Sequence, residues 1–70
     1  MNTNKLLGKI KEKGLTIEQF ATQNGFSLSS FRRKMKDETG FTREEINRVS
    51  KALDLTNEEL LNIFFDSEVS

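Results

Sequence analysis

A cluster of cations is the feature of this sequence with the clearest chemical meaning. Arg32, Arg33, Lys34 and Lys36 lie within five positions of one another. On a helix placed in the major groove of DNA, an arginine can donate two hydrogen bonds to guanine O6 and N7, and each good pair discriminates by about 1–3 kcal/mol. The alternative is a solvated basic face with no partner.

The residues just before this cluster would enter a groove first if they begin a helix. Ser27 is a typical N-cap residue, so Leu28 and Ser29 would form the first turn. Leu28 could contact a thymine methyl group, and Ser29 could hydrogen-bond to several bases. If Phe26 and Leu28 are both exposed, they form instead an apolar spot rimmed by arginine, which is more typical of a protein interface. For Phe26 we favour a place in the core; Leu28 has no such alternative.

Composition argues against an enzyme. The chain has no histidine and no cysteine, which removes the usual general base, thiol nucleophile and zinc ligands. Four glutamates fall in pairs in the first turns of predicted helices, where they suit the helix dipole: Glu44, Glu45, Glu58 and Glu59. We therefore expect no catalytic residues, metal, cofactor or small-molecule substrate.

Charge is segregated along the chain although its net value is zero. Residues 1–36 contain eight basic and two acidic side chains, whereas residues 37–70 contain three basic and nine acidic ones. No apolar run approaches the roughly 20 residues that span a bilayer, and the polar start MNTNK lacks a signal-peptide core. We expect a single domain over residues 1–70 that is cytoplasmic and binds no membrane.

The periodicity predicts five helices, over residues 3–13, 17–24, 28–36, 43–53 and 57–65, and hence an all-α fold. Three Thr-x-x-Glu/Gln capping boxes begin the second, fourth and fifth helices, at Thr16, Thr42 and Thr56. Residues 37–40 are predicted to form a turn, and residues 66–70 a frayed tail. Apolar stripes predict the core: Leu6, Leu7, Ile10, Phe20, Ala21, Phe31, Met35, Ile46, Val49 and Leu53.

The fifth helix is too apolar for one buried stripe. Leu60, Ile63 and Phe64 suffice for a core face, so the core does not account for Leu61 or Phe65. One interpretation is a dimer or partner surface, and at its extreme a purely oligomerising scaffold. The other is a small core that wraps this helix on both sides.

A small residue at position 21, a glycine four residues later and a cap at Ser27 give the spacing of a helix-turn-helix. Residues 15–35, LTIEQFATQNGFSLSSFRRKM, resemble the helix-turn-helix of the phage repressor and Cro family, which usually reads roughly LTQEELAxxLGVSxSTISRWE. Ten positions fit by identity or residue type: Leu15, Thr16, Glu18, Phe20, Ala21, Gly25, Ser27, Ser30, Phe31 and Arg33. Three positions depart from this pattern. Ile17 stands where a polar residue is usual, and Asn24 replaces a core leucine. Leu28 occupies a position where a base-reading polar side chain is common.

The resemblance implies a compact five-helix domain of the phage repressor type, with the helix-turn-helix as helices 2 and 3. It also implies a regulator of the lysis or lysogeny decision in the cytoplasm of a bacterial host. Two types fit a chain this short: a modulator of repression that binds the N-terminal DNA-binding domain of the phage repressor, and a Cro-like reader of operator DNA.

Zero net charge, Ile17 and Leu28 favour the repressor as partner, whereas the arginine pair and the motif favour DNA. We give a slight preference to the repressor. The residues expected to contact either partner are Ile17, Phe26, Ser27, Leu28, Ser29, Arg32, Arg33 and Lys36.

Overall fold

Five α-helices follow one another along the chain in a computed structural model, which describes residues 1–36 and 40–65. The helices are α1 (Thr3–Glu12), α2 (Ile17–Gln23), α3 (Leu28–Met35), α4 (Arg43–Leu53) and α5 (Asn57–Phe64). The described residues contain no strand, so the predicted all-α class is confirmed, with helix ends within one residue of those expected. The predicted turn at 37–40, apart from Gly40, and the predicted tail at 66–70 lie outside the described residues.

Helix starts are fixed by side-chain caps. At Thr16, Thr42 and Thr56 the hydroxyl accepts a hydrogen bond from the backbone N–H three residues later, at 3.1 Å in each case. The side chain of that later residue accepts one in return from the threonine N–H, at 2.9–3.0 Å. All three predicted capping boxes are thus confirmed. Ser27 caps α3 in the simpler way, and Asn2, which had not been predicted as a cap, does the same for α1.

The ends of α1, α2 and α4 share a backbone motif, in which a residue in the left-handed conformation is followed by an apolar residue. Gly14, Gly25 and Asp54 have φ of 77°, 82° and 57°, and each donates its N–H to the carbonyl three residues earlier. The next residue donates to the carbonyl five residues earlier, at 2.8–3.3 Å, which completes a Schellman motif. Those apolar residues, Leu15, Phe26 and Leu55, all pack on the core.

Phenylalanine rings connect the helices through the core. Phe31 is fully buried and contacts Phe20, Phe26 and Phe41, with ring centroids 5.9, 5.3 and 5.5 Å apart. Phe41 continues the chain of rings to Phe64 on α5, at 5.6 Å. The buried core also takes in residues from all five helices: Leu6, Ile10, Phe20, Ala21, Met35, Val49, Leu53 and Ile63.

The described residues cover the last helix on one side only. Ile63 is fully buried and Leu60 and Phe64 are half-buried, whereas Leu61 and Phe65 are 54% and 56% exposed. The interpretation in which the core wraps α5 on both sides is therefore wrong, because α5 packs at the edge of the domain. Within the described ranges, no helix is long and apolar enough to cross a membrane.

Two glycines separate the effect of backbone conformation from that of space. A Cβ added at Gly8, inside α1, or at Gly14, at φ 77°, would meet no atom within 4 Å. We expect Gly8→Ala to stabilise the domain by about 0.5–1 kcal/mol through helix propensity. Gly14→Ala should destabilise it by about 1–2 kcal/mol, because an L-residue is strained in the left-handed region. Urea unfolding measures both, and shifts of the same sign would contradict the assigned role of Gly14.

Candidate functional site

The outer face of α3 carries a stripe of polar and basic side chains. Ser29, Arg32, Arg33 and Lys36 are exposed, and their spacing of three, four and seven residues places them on one side of the helix. The opposite side is buried through Phe31 and Met35. We call these four exposed residues the α3 face. It is the largest set of predicted contact residues that the structure brings together.

Lys34, the remaining cation of the cluster, serves the fold instead. Its side chain is only 17% exposed, and its Nζ lies 3.1 Å from the Glu45 carboxylate at the start of α4. Arg32, Arg33 and Lys36 form no ion pair with any described residue. The α3 face therefore presents three positive charges to solvent without an internal counter-charge from the described part of the chain.

The first turn of α3 is polar on its surface but has one apolar member. Ser27 and Ser29 are exposed, although the Ser27 hydroxyl accepts the capping hydrogen bond from the Ser30 N–H at 3.1 Å. Leu28, between them, is half-buried. Part of its side chain thus remains available to a partner.

Two predicted contact residues belong largely to the core. Phe26 is only 8% exposed, so the idea of an exposed Phe26 anchor needs correction: as the apolar residue of the α2–α3 linker, its ring packs against Phe31 and Phe41. Ile17 is half-buried and packs against the core beside Leu15. An isoleucine at this position is thus accounted for by packing alone.

An arginine on α4 that the sequence did not single out holds the turn between α2 and α3. The Nη1 of Arg48 donates to the carbonyl of Asn24 at 3.0 Å, and the guanidinium carbon lies 5.7 Å from the centre of the Phe26 ring. Asn24 in turn donates its side-chain amide to the Phe20 carbonyl at 2.8 Å. The side-chain amide nitrogen and both backbone groups of Asn24 are thus hydrogen-bonded. No local pattern around position 48 signals this contact.

Two carboxylates join neighbouring helices and respond to their surroundings. The Thr42 N–H, followed by the Lys34 ammonium, lowers the pKa of Glu45 below its ordinary value of 4.5. For Glu59, the Lys9 ammonium at 2.6 Å is the main cause of a lowered pKa, and the Thr56 N–H adds to it. The same contact with Glu59 raises the pKa of Lys9. Both carboxylates therefore favour the charged form in the folded state.

These features define an all-α, five-helix domain with an exposed basic face on its third helix. The chain belongs to the family described as "Protein of unknown function (DUF739)", whose model matches residues 1–67. Searches among curated proteins and among solved structures gave no match. The family description names no activity.

Replacing Arg48 tests whether it orders the turn. We expect Arg48→Met to lose about 1–2 kcal/mol of unfolding free energy, from one hydrogen bond and one cation–π contact. Amide hydrogen exchange should also become faster at Gly25 and Phe26. Arg43→Met is the matched control, because Arg43 is an exposed arginine of the same helix that forms no hydrogen bond, ion pair or ring contact with a described residue. Equal effects of the two substitutions would show that Arg48 has no special role.

Acid should weaken the domain through Glu45 and Glu59. A carboxylate with a lowered pKa stabilises the fold at pH values above 4.5, and this contribution is lost as pH falls through its folded-state pKa. Glu45→Gln keeps an oxygen to accept from Thr42 but removes the charge opposite Lys34. We expect its urea-unfolding free energy to fall less than that of the wild type between pH 5 and pH 3. Parallel wild-type and Glu45→Gln curves over this range would contradict the ion pair.

Proposed function

We propose that this chain is a small helix-turn-helix transcription regulator that places α3 in the major groove of operator DNA. The observation that carries the proposal is the α3 face, with three cations that are exposed and unpaired within the described chain. DNA is a polyanion of matching shape, because its major groove is about 12 Å wide and admits an α-helix.

The arrangement of α2 and α3 supports this proposal. The two helices are joined by a Schellman turn at Gly25 and pack through Phe20 and Phe31. Ala21 is fully buried at this junction, as the small residue of a helix-turn-helix would be. α2 would then cross the DNA backbone while the first turn of α3 meets the bases.

Each side chain of the α3 face has a chemical role in this proposal. Arg32 and Arg33 can donate to guanine or to phosphates, and Lys36, at the far end of the helix, suits a phosphate. Ser29 can hydrogen-bond to several bases, so it selects weakly. The site would obtain much of its affinity from charge and less from sequence reading, which makes binding strongly salt-dependent.

The biological setting that we propose comes from the resemblance to the phage repressor and Cro family. A regulator of this kind would act in the lysis or lysogeny switch of a temperate phage, in the cytoplasm of its bacterial host. It would need no cofactor, metal or small-molecule substrate and would catalyse no reaction.

A second candidate function is antagonism of the phage repressor through its N-terminal DNA-binding domain. Leu28 supports it, because a half-buried leucine between two exposed serines is an apolar contact point at the start of α3. Zero net charge also reduces long-range attraction to DNA. We place this candidate second, since Phe26 is in the core and Ile17 packs against it, which leaves Leu28 as the one predicted apolar anchor not packed there.

The test uses random-sequence DNA duplexes enriched for binding to the protein, titrated at several salt concentrations. We expect Arg33→Met to weaken binding and to reduce the slope of log affinity against log salt by about one. Lys51→Met is the matched control, since it removes one exposed positive charge from α4. Equal losses for the two variants would indicate a general charge effect and no specific α3 contact.

A further variant distinguishes repressor antagonism from DNA binding. Leu28→Ala should weaken binding to the N-terminal domain of the same phage's repressor if Leu28 is a protein anchor, while leaving DNA affinity nearly unchanged. If the wild type releases that repressor domain from its operator but binds no duplex by itself, repressor antagonism replaces DNA reading as the function.

A further inference from the structure

Two neighbouring residues of the α2–α3 turn have a chemistry that the proposed function does not use. Asn24 is the only asparagine in the sequence that is followed by a glycine. Because glycine has no Cβ, the backbone nitrogen of Gly25 is unhindered and can approach the Asn24 side-chain amide. Attack by that nitrogen on the amide carbon is the reaction that makes asparagine chemically labile in such a pair.

In the folded chain the peptide group between Asn24 and Gly25 is held at both of its polar atoms. The Gly25 N–H donates to the Thr22 carbonyl at 3.2 Å, as part of the Schellman motif. The Asn24 carbonyl accepts a hydrogen bond from Nη1 of Arg48 at 3.0 Å. Both contacts have to break before this peptide group can rotate freely.

The side chain of Asn24 is directed back along α2. Its Nδ2 donates to the Phe20 carbonyl at 2.8 Å, one helical turn earlier. At the observed ψ of 15°, the backbone nitrogen of Asn24, and not its Cβ, nearly eclipses the Gly25 nitrogen. A five-membered ring through Cβ and Cγ of Asn24 therefore closes only after a large rotation about ψ.

Hydrogen bonds protect this pair, whereas burial does not. Gly25 is exposed and Asn24 is half-buried, so water and hydroxide reach the peptide group as soon as the turn opens. Local opening of this kind precedes global unfolding in many proteins, and its free energy depends on the contacts that close the segment. The reactivity of Asn24 is therefore set by the contacts of the turn.

We propose that Asn24 is a deamidation site whose reaction is limited by opening of the α2–α3 turn, and that the contact with Arg48 slows this opening. The inference goes beyond the proposed function and does not depend on it, because the reaction is measured without DNA or a protein partner. Failure of one proposal therefore leaves the other testable.

The reaction needs only water and hydroxide. In the opened turn, hydroxide removes the proton of the Gly25 N–H, and the nitrogen attacks Cγ of Asn24. The new N–Cγ bond closes a succinimide ring, the Cγ–Nδ2 bond breaks, and the amide nitrogen takes up a proton from water and leaves as ammonia. Water then opens the ring. Addition at Cγ gives aspartate, and addition at the backbone carbonyl carbon gives isoaspartate, whose main chain runs through Cβ.

Isoaspartate at position 24 would prevent the turn from closing again. The Schellman motif requires hydrogen bonds from the N–H groups of Gly25 and Phe26 to the carbonyls of Thr22 and Ala21, now at 3.2 and 2.8 Å. Isoaspartate adds one carbon to the main chain inside both hydrogen-bonded rings. The product loses the turn that places the start of α3, so a single opening event becomes irreversible once the reaction has occurred.

The first measurement follows the conversion of Asn24 in the full chain by peptide mapping and mass spectrometry at mildly alkaline pH. We expect conversion in native buffer to be slower, by about tenfold or more, than in guanidinium chloride that unfolds the chain. The other asparagines precede residues with side chains and are internal controls that should react more slowly in denaturant: Asn2, Asn4, Asn47, Asn57 and Asn62. An Asn24 that does not react in denaturant, or that reacts equally fast in native buffer, would overturn the proposal.

Replacing Arg48 tests whether opening of the turn limits the reaction. In native buffer, Arg48→Met should convert Asn24 about five- to thirtyfold faster than the wild type. Hydrogen exchange of the Gly25 N–H should accelerate by a similar factor, because exchange and deamidation both begin with loss of this proton from the opened turn. Arg43→Met is the matched control and should leave both rates unchanged. Faster exchange at Gly25 without faster conversion of Asn24 would overturn the proposal.

The purified isoaspartate form tests the consequence for the fold. Asn24→Asp is its matched control, because it has the same charge and also lacks the amide that donates to Phe20, but keeps a normal main chain. We expect Asn24→Asp to retain slow hydrogen exchange at Gly25 and Phe26, and the isoaspartate form to lose it. Equally slow exchange in both proteins would show that the turn accommodates the longer main chain, and the irreversible step would then be wrong.

Discussion

The fold depends on one short backbone device that recurs at every helix junction. A residue in the left-handed region is followed by an apolar side chain and then by a hydroxyl side chain that caps the next helix. The four instances are Gly14-Leu15-Thr16, Gly25-Phe26-Ser27, Gly40-Phe41-Thr42 and Asp54-Leu55-Thr56. The first residue reverses the chain, the second anchors the linker in the core, and the third pairs an orphan N–H. At three of the four junctions the helices are only three or four residues apart, which lets a 70-residue chain hold five helices.

The candidate site follows from this constraint. Because Phe26 is the anchor of its linker and Ser27 the cap, the start of α3 is held at a fixed place against the core. Arg48 holds the same linker from outside, and the Lys34–Glu45 ion pair ties the last turn of α3 to α4. An α-helix held at both ends and buried along Phe31 has little freedom to rotate. The side chains of the α3 face therefore project from a fixed backbone, as recognition of a regular partner requires.

Much of the fold could be predicted from the sequence because the signals are local. A capping box lies within four residues and a buried stripe within two turns, so helix starts and most core positions of α1 to α4 can be read directly. Leu7 and Ile46 were expected in the core but are only half-buried. The burial of Phe26 has a local signal too, since an apolar residue after a left-handed glycine usually packs on its own helix. By contrast, the contact of Arg48 with Asn24 joins residues 24 positions apart, and Lys34 meets Glu45 across a helix junction. Such contacts depend on how helices pack, which no local pattern specifies. The same holds for α5, where periodicity could not decide how many of its apolar residues the small core would cover.

The segregation of charge along the sequence has a different meaning once the chain is folded. The ion pairs of Lys9 with Glu59 and of Lys34 with Glu45 each join a cation of the basic half to a carboxylate of the acidic half. In the folded chain these two ion pairs attach α1 to α5 and α3 to α4. What remains on α3 is a local excess of positive charge. The Debye length at physiological salt is about 8 Å, whereas the molecule measures 33 × 24 × 20 Å. A partner touching α3 is therefore influenced mainly by nearby cations, and carboxylates several Debye lengths away are screened. Zero net charge slows long-range encounter but does not prevent close binding of a polyanion, because the affinity of that contact depends on the charges at the interface.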